Sequence, residues 1–353
     1  MTLKNDIIAQ IAADGPMRLD SYISTCLMHP TKGYYTTRQP FGASGDFTTA
    51  PEISQMFGEL IGLALAHCWL DQGAPTPFTL AELGPGRGTL MADALRACAA
   101  VPGFVEAAQV VLLEASPAMR QQQSRTLEPF EPLHLDALTA LPDQPLFVIA
   151  NEFFDALPIR QFVRDGAGWR ERQVGQTNGA LSFGLGPAQP QPALADRIDD
   201  TKDGDLIETC SAASPLILEI ARRIADHGGA ALVIDYGDWH TLGDTLQAVQ
   251  NHQPAPPLAD PGLADLTAHV DFEALAQAST PCAHTRLTPQ GVFLERLGIT
   301  ARAQNLAANM SGDVLKSHIA AHRRLTHPAE MGNLFKVLGL YPKHGTPPPG
   351  LEP

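Results

Sequence analysis

Short apolar segments alternate with segments of helical periodicity through the middle of the chain. The apolar segments lie at residues 78–83, 110–114, 133–136, 146–151 and 230–235. Strands that are apolar along their whole length are buried on both faces, which is typical of a parallel sheet with helices on each side. The sequence therefore predicts a doubly wound α/β fold.

The segments before, within and after this core have different sequence patterns. We expect residues 1–74 to form an N-terminal helical cap with a lid loop, and residues 75–340 to form the main domain. Within that domain, residues 158–205 alternate polar and apolar side chains and contain Asp-Gly and Asn-Gly pairs. This pattern predicts an inserted antiparallel hairpin subdomain. The proline-rich residues 341–353 are predicted to be a disordered tail.

The charge balance limits the partners. The chain has 24 Lys and Arg against 38 Asp and Glu, a formal net charge of −14. Nucleic acids and anionic membranes attract clustered cations, so neither is expected as a partner. No apolar run approaches the roughly 18 residues of a membrane-spanning helix.

The cysteines bear on the compartment. Five of them are dispersed along the chain without a C-x-x-C pair, which indicates neither a disulfide framework nor a zinc site. The N-terminus has no secretion signal, and we therefore expect a cytoplasmic protein. His318 and His322 have the spacing of zinc ligands but lack the glutamate of H-E-x-x-H, so no metal is expected.

The first apolar segment ends in a glycine turn, residues 84–88 (GPGRG), and a helical segment follows. This order presents backbone N–H groups and a helix N-terminus to a ligand. Thr89 stands where the dinucleotide fingerprint G-x-G-x-x-G has its third glycine, which disfavours a nicotinamide cofactor. A purely structural turn is an equally good interpretation of these glycines alone.

Polar residues follow the later apolar segments. Glu114 ends the second, where a carboxylate can accept hydrogen bonds from two ribose hydroxyls, and Asp136 ends the third, where it can receive an adenine amino group. Asn151 and Glu152 end the fourth. Ligands of open parallel sheets bind at the carboxyl ends of the strands, so these residues predict a ligand site. Each of them alone is also explained as an exposed strand end or a helix cap.

Four blocks of sequence carry a family resemblance. Residues 82–90 (ELGPGRGTL) resemble the adenosylmethionine motif of class I methyltransferases. Residues 45–54 (GDFTTAPEIS), 151–158 (NEFFDALP) and 235–237 (DYG) resemble the MidA family. That family is related to the mitochondrial complex I assembly factor of the protein-arginine methyltransferase type, and the resemblance extends over nearly the whole chain.

The resemblance implies a fold and a cofactor. The fold is a seven-strand, Rossmann-like class I methyltransferase sheet whose last strand is antiparallel. The cofactor is S-adenosyl-L-methionine, and the residues that match the family's binding positions are Glu82, Gly84, Pro85, Gly86, Gly88, Glu114, Asp136 and Asn151.

The resemblance also implies a protein acceptor, an arginine of a respiratory complex I subunit or a bacterial counterpart. A guanidinium keeps its proton, with a pKa above about 12, so it needs carboxylates that grip its N–H groups. Glu152 and Asp155, which flank two phenylalanines, are the first candidates for this catalytic role, and Asp46 in the lid loop is the second. The competing interpretation is that the phenylalanines are core residues and Glu152 is a cap.

Two other functions remain open at this stage. One is a non-catalytic assembly chaperone that keeps adenosylmethionine as a structural ligand. The other is a nicotinamide-dependent oxidoreductase on the same kind of sheet. Both share the fold, because function is set by the site and not by the fold. The sequence also leaves the oligomeric state open, a homodimer included.

Overall fold

The structure is a computed structural model that describes residues 2–37 and 49–353. Its α-helices are α1 (Leu3–Asp14), α2 (Leu19–Met28), α3 (Tyr34–Thr37), α4 (Ala50–Ile53), α5 (Gln55–Asp71), α6 (Thr89–Cys98), α7 (Phe104–Ala107), α8 (Pro117–Thr126), α9 (Ala213–His227), α10 (Phe272–Ala278), α11 (Gln290–Arg296), α12 (Ile299–Ala307), α13 (Gly312–Thr326) and α14 (Met331–Leu334).

Its strands are β1 (Met17–Arg18), β2 (Phe78–Leu83), β3 (Ala108–Leu113), β4 (Leu133–Leu135), β5 (Leu146–Asn151), β6 (Arg160–Asp165), β7 (Gly168–Thr177), β8 (Ala180–Gln189), β9 (Leu206–Thr209), β10 (Gly229–Asp238), β11 (Gln247–Gln250), β12 (Gln253–Ala255), β13 (Asp265–Thr267), β14 (Val270–Asp271), β15 (Ala283–His284), β16 (Thr288–Pro289) and β17 (Phe335–Tyr341). Short 3₁₀ helices lie at Glu128–Phe130, Leu138–Ala140 and Pro192–Arg197.

The central sheet has the order β15-β17-β10-β5-β2-β3-β4, with β14 beside β10 and β16 beside β17. The neighbouring strands β4, β3, β2, β5 and β10 are parallel to one another, and β17 is antiparallel to β10. The predicted α/β fold is confirmed. In the part of the chain that the structure describes, this sheet has nine strands, seven along that path and two short ones beside it, whereas the resemblance implies seven.

The central strands β2, β5 and β10 are buried on both faces, which explains why they are mostly apolar. In β5, Phe147 and Ile149 pack in a cluster with residues of α5 and α6, whereas Val148 and Ala150 pack with residues of α9 and α10. All four side chains are at most 1% exposed. The polar residues of these segments are therefore displaced to the strand ends, and the parallel strands bring those ends to one edge.

Helix α5 packs directly on α6 through two glycines. A Cβ on Gly62 would lie 2.7 Å from Cα of Ala94, and a Cβ on Gly58 would lie 2.8 Å from Cβ of Asp93. The boundary that we expected between residues 74 and 75 thus falls between two helices of one layer. The N-terminal segment contributes α5 to the main core as well as the helices α1 and α2.

A second sheet has the order β1-β7-β6-β9, with β8 beside β7. Its strands β7 and β8 are joined at Asn178 and Gly179, which have φ of +53° and +77°, as the Asn-Gly hairpin signal requires. The sequence places an antiparallel insertion at residues 158–205, and the structure has antiparallel strands from Arg160 to Thr209. Strand β1 of the N-terminal segment joins the same sheet.

The end of the chain is ordered, so the prediction of a disordered tail is wrong. Leu351 is 8% exposed and belongs to the main hydrophobic cluster. The backbone oxygen of Glu352 accepts a hydrogen bond from the N–H of Arg286 (2.8 Å). Proline-rich composition removes backbone donors, but the buried Leu351 and the hydrogen bonds from Arg286 and Arg296 hold this segment in place. No helix within residues 2–37 and 49–353 is long and apolar enough to span a membrane.

The contact between α5 and α6 predicts the effect of a substitution. Gly62→Val introduces a branched side chain where Ala94 leaves no space, so we expect a loss of about 1–3 kcal/mol in the free energy of unfolding. Urea denaturation measures this loss. Gly184→Ala is the control, because a Cβ there meets nothing within 4 Å. Equal stability of Gly62→Val and the unsubstituted protein would contradict the packing described here.

Candidate active site

The glycine turn, residues 84–88, joins the carboxyl end of β2 to the N-terminus of α6. Gly84, Gly86 and Gly88 have φ of +61°, +52° and +80°, a conformation that favours glycine. Gly84 also lacks room for a side chain, because an added Cβ would lie 3.0 Å from Cδ2 of Phe153. These glycines are therefore required by the backbone of the turn.

Two cavities meet at this turn. The smaller one, about 40 Å³, is lined by the turn including Pro85, by the ends of β2 and β5, and by α4. The larger one, about 290 Å³, extends past the end of β3 to α2 and to residues 156–158. Gly84, Gly86 and Glu152 line both cavities, so the two are adjacent parts of one site. A cavity of about 360 Å³ between the second sheet and α10 lies apart from the turn.

Two buried polar side chains face the smaller cavity. Glu82 is 3% exposed and Asn151 is 8% exposed. Oε2 of Glu82 and Oδ1 of Asn151 have no hydrogen-bond partner among the described residues. Burial raises the pKa of Glu82 to about 8. Unpartnered buried acceptors are costly, and their presence indicates a ligand that donates hydrogen bonds.

Glu114 lies at the end of β3 in the wall of the larger cavity. Its Oε1 accepts from the N–H of Ser116 (2.7 Å), and its Oε2 accepts from Nε2 of Gln123 (3.0 Å). Burial raises the pKa of this carboxyl, and the hydrogen bond from Ser116 opposes the rise. The carboxylate is thus held in one orientation at the cavity.

Asp136 does not line either cavity. Its side chain is 89% exposed and forms an ion pair with Arg120 of α8. Arg120 also donates from Nε to the backbone oxygen of Glu114 (2.7 Å). The expected contact of Asp136 with an adenine amino group therefore has no support in this arrangement, because the carboxylate is drawn to the guanidinium on the outer side of the strand ends.

Glu152 lies in the left-handed region of backbone space, with φ of +51°, which is costly for a residue with a side chain. Its Oε1 accepts from the N–H of Ala50 and from Nδ2 of Asn151, both at 3.2 Å. Burial raises the pKa of Glu152 to about 7, and the charge of Asp155 adds to the rise. The structure thus places a half-buried carboxyl with a raised pKa where the two cavities join.

Asp155 lies behind the cavity wall and does not line either cavity. It is 7% exposed, and its Oδ1 has no hydrogen-bond partner among the described residues. Burial raises its pKa to about 6, against the lowering effect of a hydrogen bond from Tyr236. The sequence predicts that Glu152 and Asp155 bind the acceptor guanidinium together. In the structure the two side chains therefore have different surroundings.

Asp46, the third expected acid, lies outside the described residues. Glu52 of α4 (Ala50–Ile53) connects that helix to the glycine turn. The carboxylate of Glu52 accepts from Oγ1 of Thr89 (2.7 Å) and from Nη1 of Arg87 (3.1 Å).

Sequence reasoning missed three residues, Glu52, Tyr35 and Gln123. Tyr35 lines the larger cavity and donates its hydroxyl to Asp265 (2.9 Å). For Gln123 a signal exists, because it lies four residues after the buried Met119 on the inner face of α8.

The two histidines that have the spacing of zinc ligands form hydrogen bonds with other residues. Nε2 of His318 lies 3.0 Å from the backbone oxygen of Ala303, and Nε2 of His322 lies 3.0 Å from Oγ1 of Thr300. Among residues 2–37 and 49–353, no group of three or more His, Cys, Asp or Glu side chains is arranged to hold a metal ion.

Residues 60–290 match the family of S-adenosyl-L-methionine-dependent methyltransferases. The chain belongs to this family. Proteins named protein arginine methyltransferase NDUFAF7, mitochondrial, are similar along most of their length. The rat protein is 36% identical, covering 95% of this chain and 83% of the relative. The human protein is 35% identical, covering 95% and 82%.

A solved structure is also similar. It is the crystal structure of a Burkholderia thailandensis protein bound to S-adenosyl-homocysteine, with a TM-score of 0.83 and 30% identity. The match covers 98% of this chain and 92% of that one. The family resemblance inferred from residues 82–90 and 151–158 is confirmed by these findings, and so is the prediction of a methyltransferase.

The expectation of a cytoplasmic location is wrong. The rat, human and Drosophila melanogaster relatives are all named as mitochondrial proteins. Dispersed cysteines without a disulfide framework indicate only a reducing compartment. They do not separate one reducing compartment from another.

S-Adenosylmethionine is the cofactor of this family, and the residues present fit it. The unpartnered oxygens of Glu82 and Asn151 can accept from an ammonium group. Each oxygen of Glu114 has one internal donor and keeps lone pairs for ribose hydroxyls. The absence of side chains on the glycine turn leaves space beside the backbone.

The glycine turn gives a direct test of cofactor binding. Gly86→Val forces a branched side chain onto left-handed backbone at the junction of the cavities, so we expect adenosylmethionine binding to be lost. Calorimetry measures binding, and circular dichroism reports on folding. Gly166→Val is the matched control, because Gly166 has φ of +57° but open space around it. Unchanged affinity in a folded Gly86→Val protein would rule out this binding site.

Proposed function

We propose that this protein transfers the methyl group of S-adenosylmethionine to a side-chain nitrogen of an arginine in a protein acceptor. The observation that carries the proposal is the position of Glu152, which lines both cavities and has no ion-pair partner among the described residues. An unpaired carboxylate in a cavity wall fits a cationic acceptor. The names of the relatives, which are protein arginine methyltransferases, support the same acceptor class.

In this proposal the cofactor spans the two cavities. Its ammonium group binds Glu82 and Asn151 in the smaller cavity, and its ribose hydroxyls bind Glu114 in the larger one. The adenine lies against the apolar wall formed by Leu113 and Met119. Asp136, which is exposed and paired with Arg120, has no direct role.

The acceptor arginine enters the larger cavity from the side of α2. That side is lined by Leu27, Met28, Tyr35 and residues 156–158. Apolar and aromatic walls suit the flat faces of a guanidinium, and the carboxylate suits its N–H edge. In this proposal Glu152 alone binds the guanidinium, and Asp155 lies behind it as a second negative charge.

The chemistry divides between the cofactor and this chain. Bound adenosylmethionine supplies a methyl group on a positively charged sulfur. Glu152 holds the guanidinium, draws its positive charge towards the bound N–H groups and accepts the proton that the methylated nitrogen releases. A carboxyl whose pKa is about 7 is suited to that exchange near neutral pH. Alignment of nitrogen, methyl and sulfur contributes up to roughly 7–11 kcal/mol.

We further propose that the acceptor is a subunit of respiratory complex I or a bacterial counterpart, as the family resemblance implies. The formal net charge of −14 is compatible with a basic acceptor segment.

The decisive experiment supplies the protein with adenosylmethionine carrying a labelled methyl group, in an extract of cells that lack the protein. Mass spectrometry then locates the label. We expect labelled methylarginine in one or a few proteins. Label on lysine, or on no protein although adenosylmethionine binds, would contradict the proposal, and the second result would favour the non-catalytic alternative.

Glu152→Gln keeps the size of the side chain but removes its charge. We expect the rate of labelling to fall by roughly 10²–10⁴-fold, while the affinity for adenosylmethionine changes little. Labelling kinetics and calorimetry measure the two quantities separately. Glu106→Gln, the same change at an exposed position, is the control. Near-normal labelling by Glu152→Gln would remove Glu152 from the catalytic role, and loss of cofactor binding would assign it to the cofactor.

The raised pKa of Glu152 predicts a pH dependence. The ionised form is the active one, so the labelling rate at saturating cofactor should increase as the pH rises through about 7. The charged groups that act on Glu152 are Asp155, which raises its pKa, and Arg324 of α13, which lowers it. Arg324→Gln should therefore move the midpoint of the profile to higher pH. A rate that is flat across neutral pH would contradict this assignment.

A further inference from the structure

A fully buried glutamine connects the glycine turn to the carboxylate at the end of β3. Gln123 of α8 is 0% exposed. Its amide Nε2 donates to the backbone oxygen of Gly86 (2.7 Å) and to Oε2 of Glu114 (3.0 Å). Its Oε1 lies 2.9 Å from Nε2 of His134 on β4. One side chain thus joins the ends of β2, β3 and β4.

These contacts fix the direction of every hydrogen bond in the group. Both amide hydrogens of Gln123 are used, and the amide oxygen can only accept, so Nε2 of His134 carries a hydrogen. That hydrogen is present in the neutral ring and in the protonated ring. The bond from His134 to Gln123 therefore persists when the histidine titrates.

We infer that Gln123 is a positioning residue for the cofactor. It holds the carboxylate of Glu114 in the orientation that presents one lone pair of each oxygen to a ribose hydroxyl, and it holds Gly86 at a fixed place beside that carboxylate. The inference rests on the ribose contact of Glu114 proposed above. Ser116 supplies the second internal donor, to Oε1 (2.7 Å), so Gln123 is needed to immobilise Oε2.

Loss of Gln123 is expected to change the pKa of Glu114, and this change makes the loss detectable. Burial raises the pKa of Glu114, and hydrogen bonds from Ser116 and Gln123 oppose the rise by stabilising the ionised form. The charged group nearby is Arg120, whose other end pairs with Asp136. Without the Gln123 donor, Glu114 takes up a proton at higher pH and then no longer accepts from both hydroxyls.

Two variants should therefore show opposite pH trends in the Kd of S-adenosylhomocysteine, measured by calorimetry across the neutral range. Gln123→Leu removes the donor, so affinity falls roughly tenfold or more and falls further as the pH is lowered. Gln123→Glu places a carboxylate beside two acceptors, the backbone oxygen of Gly86 and the carboxylate of Glu114. Affinity is therefore lost at high pH, and it recovers at low pH, where the two carboxylates share one proton. Gln121→Glu, on the exposed face of the same helix, should bind normally.

A second ligand separates this inference from the proposal on which it rests. The unsubstituted protein should bind the 2′,3′-dideoxy form of S-adenosylhomocysteine more weakly than the natural form, and Gln123→Leu should discriminate much less. If the unsubstituted protein and Glu114→Ala bind both forms equally, the ribose contact itself is wrong. If discrimination is present and Gln123→Leu keeps it, with the normal pH profile, the positioning role is overturned. Circular dichroism confirms that each variant is folded.

Discussion

The carboxylate of Asp235 holds the turn on which the site depends. Asp235 of β10 is 0% exposed, and its Oδ2 accepts from the N–H groups of Phe154 (3.0 Å) and Asp155 (3.2 Å), which follow the end of the neighbouring strand β5. Its Oδ1 accepts from the N–H of Tyr236 (2.9 Å). These bonds hold the backbone of Phe154 and Asp155 immediately after the left-handed Glu152, which lines the cavities.

The same arrangement crowds acidic groups. Burial raises the pKa of Asp235 well above its ordinary value, and the charges of Asp155 and Glu152 add to the rise. A carboxyl with a raised pKa in the folded state binds more protons than in the unfolded state. Stability therefore falls as the pH rises from the ordinary carboxyl value of about 4 to the raised value. Such a cost at the edge of a sheet is typical of a functional site, and a bound cation would relieve it.

The sequence predicts the strands and their ends well, because burial on both faces leaves an unmistakable pattern. β2 and β5 begin and end where the apolar segments do, and the positions of Glu114 and Glu152 at the cavities follow from strand order alone. The directions of Asp136 and Asp155 do not follow, because Arg120 and Tyr236 determine them and both come from other elements. The order of the tail does not follow from its composition for a similar reason, since Leu351 packs in the main cluster and Arg286 and Arg296 of other elements bond to the tail.

The segment that we expect to form a cap shares contacts with the main domain at the site. Glu52 of α4 accepts from Arg87 and Thr89 beside the glycine turn, and the N–H of Ala50 donates to Glu152. These contacts cross more than thirty residues in one case and about one hundred in the other. Tyr35, bonded to Asp265, closes the opposite wall. The N-terminal segment is therefore part of the cavity wall, and a chain that lacks it would expose both cavities to water.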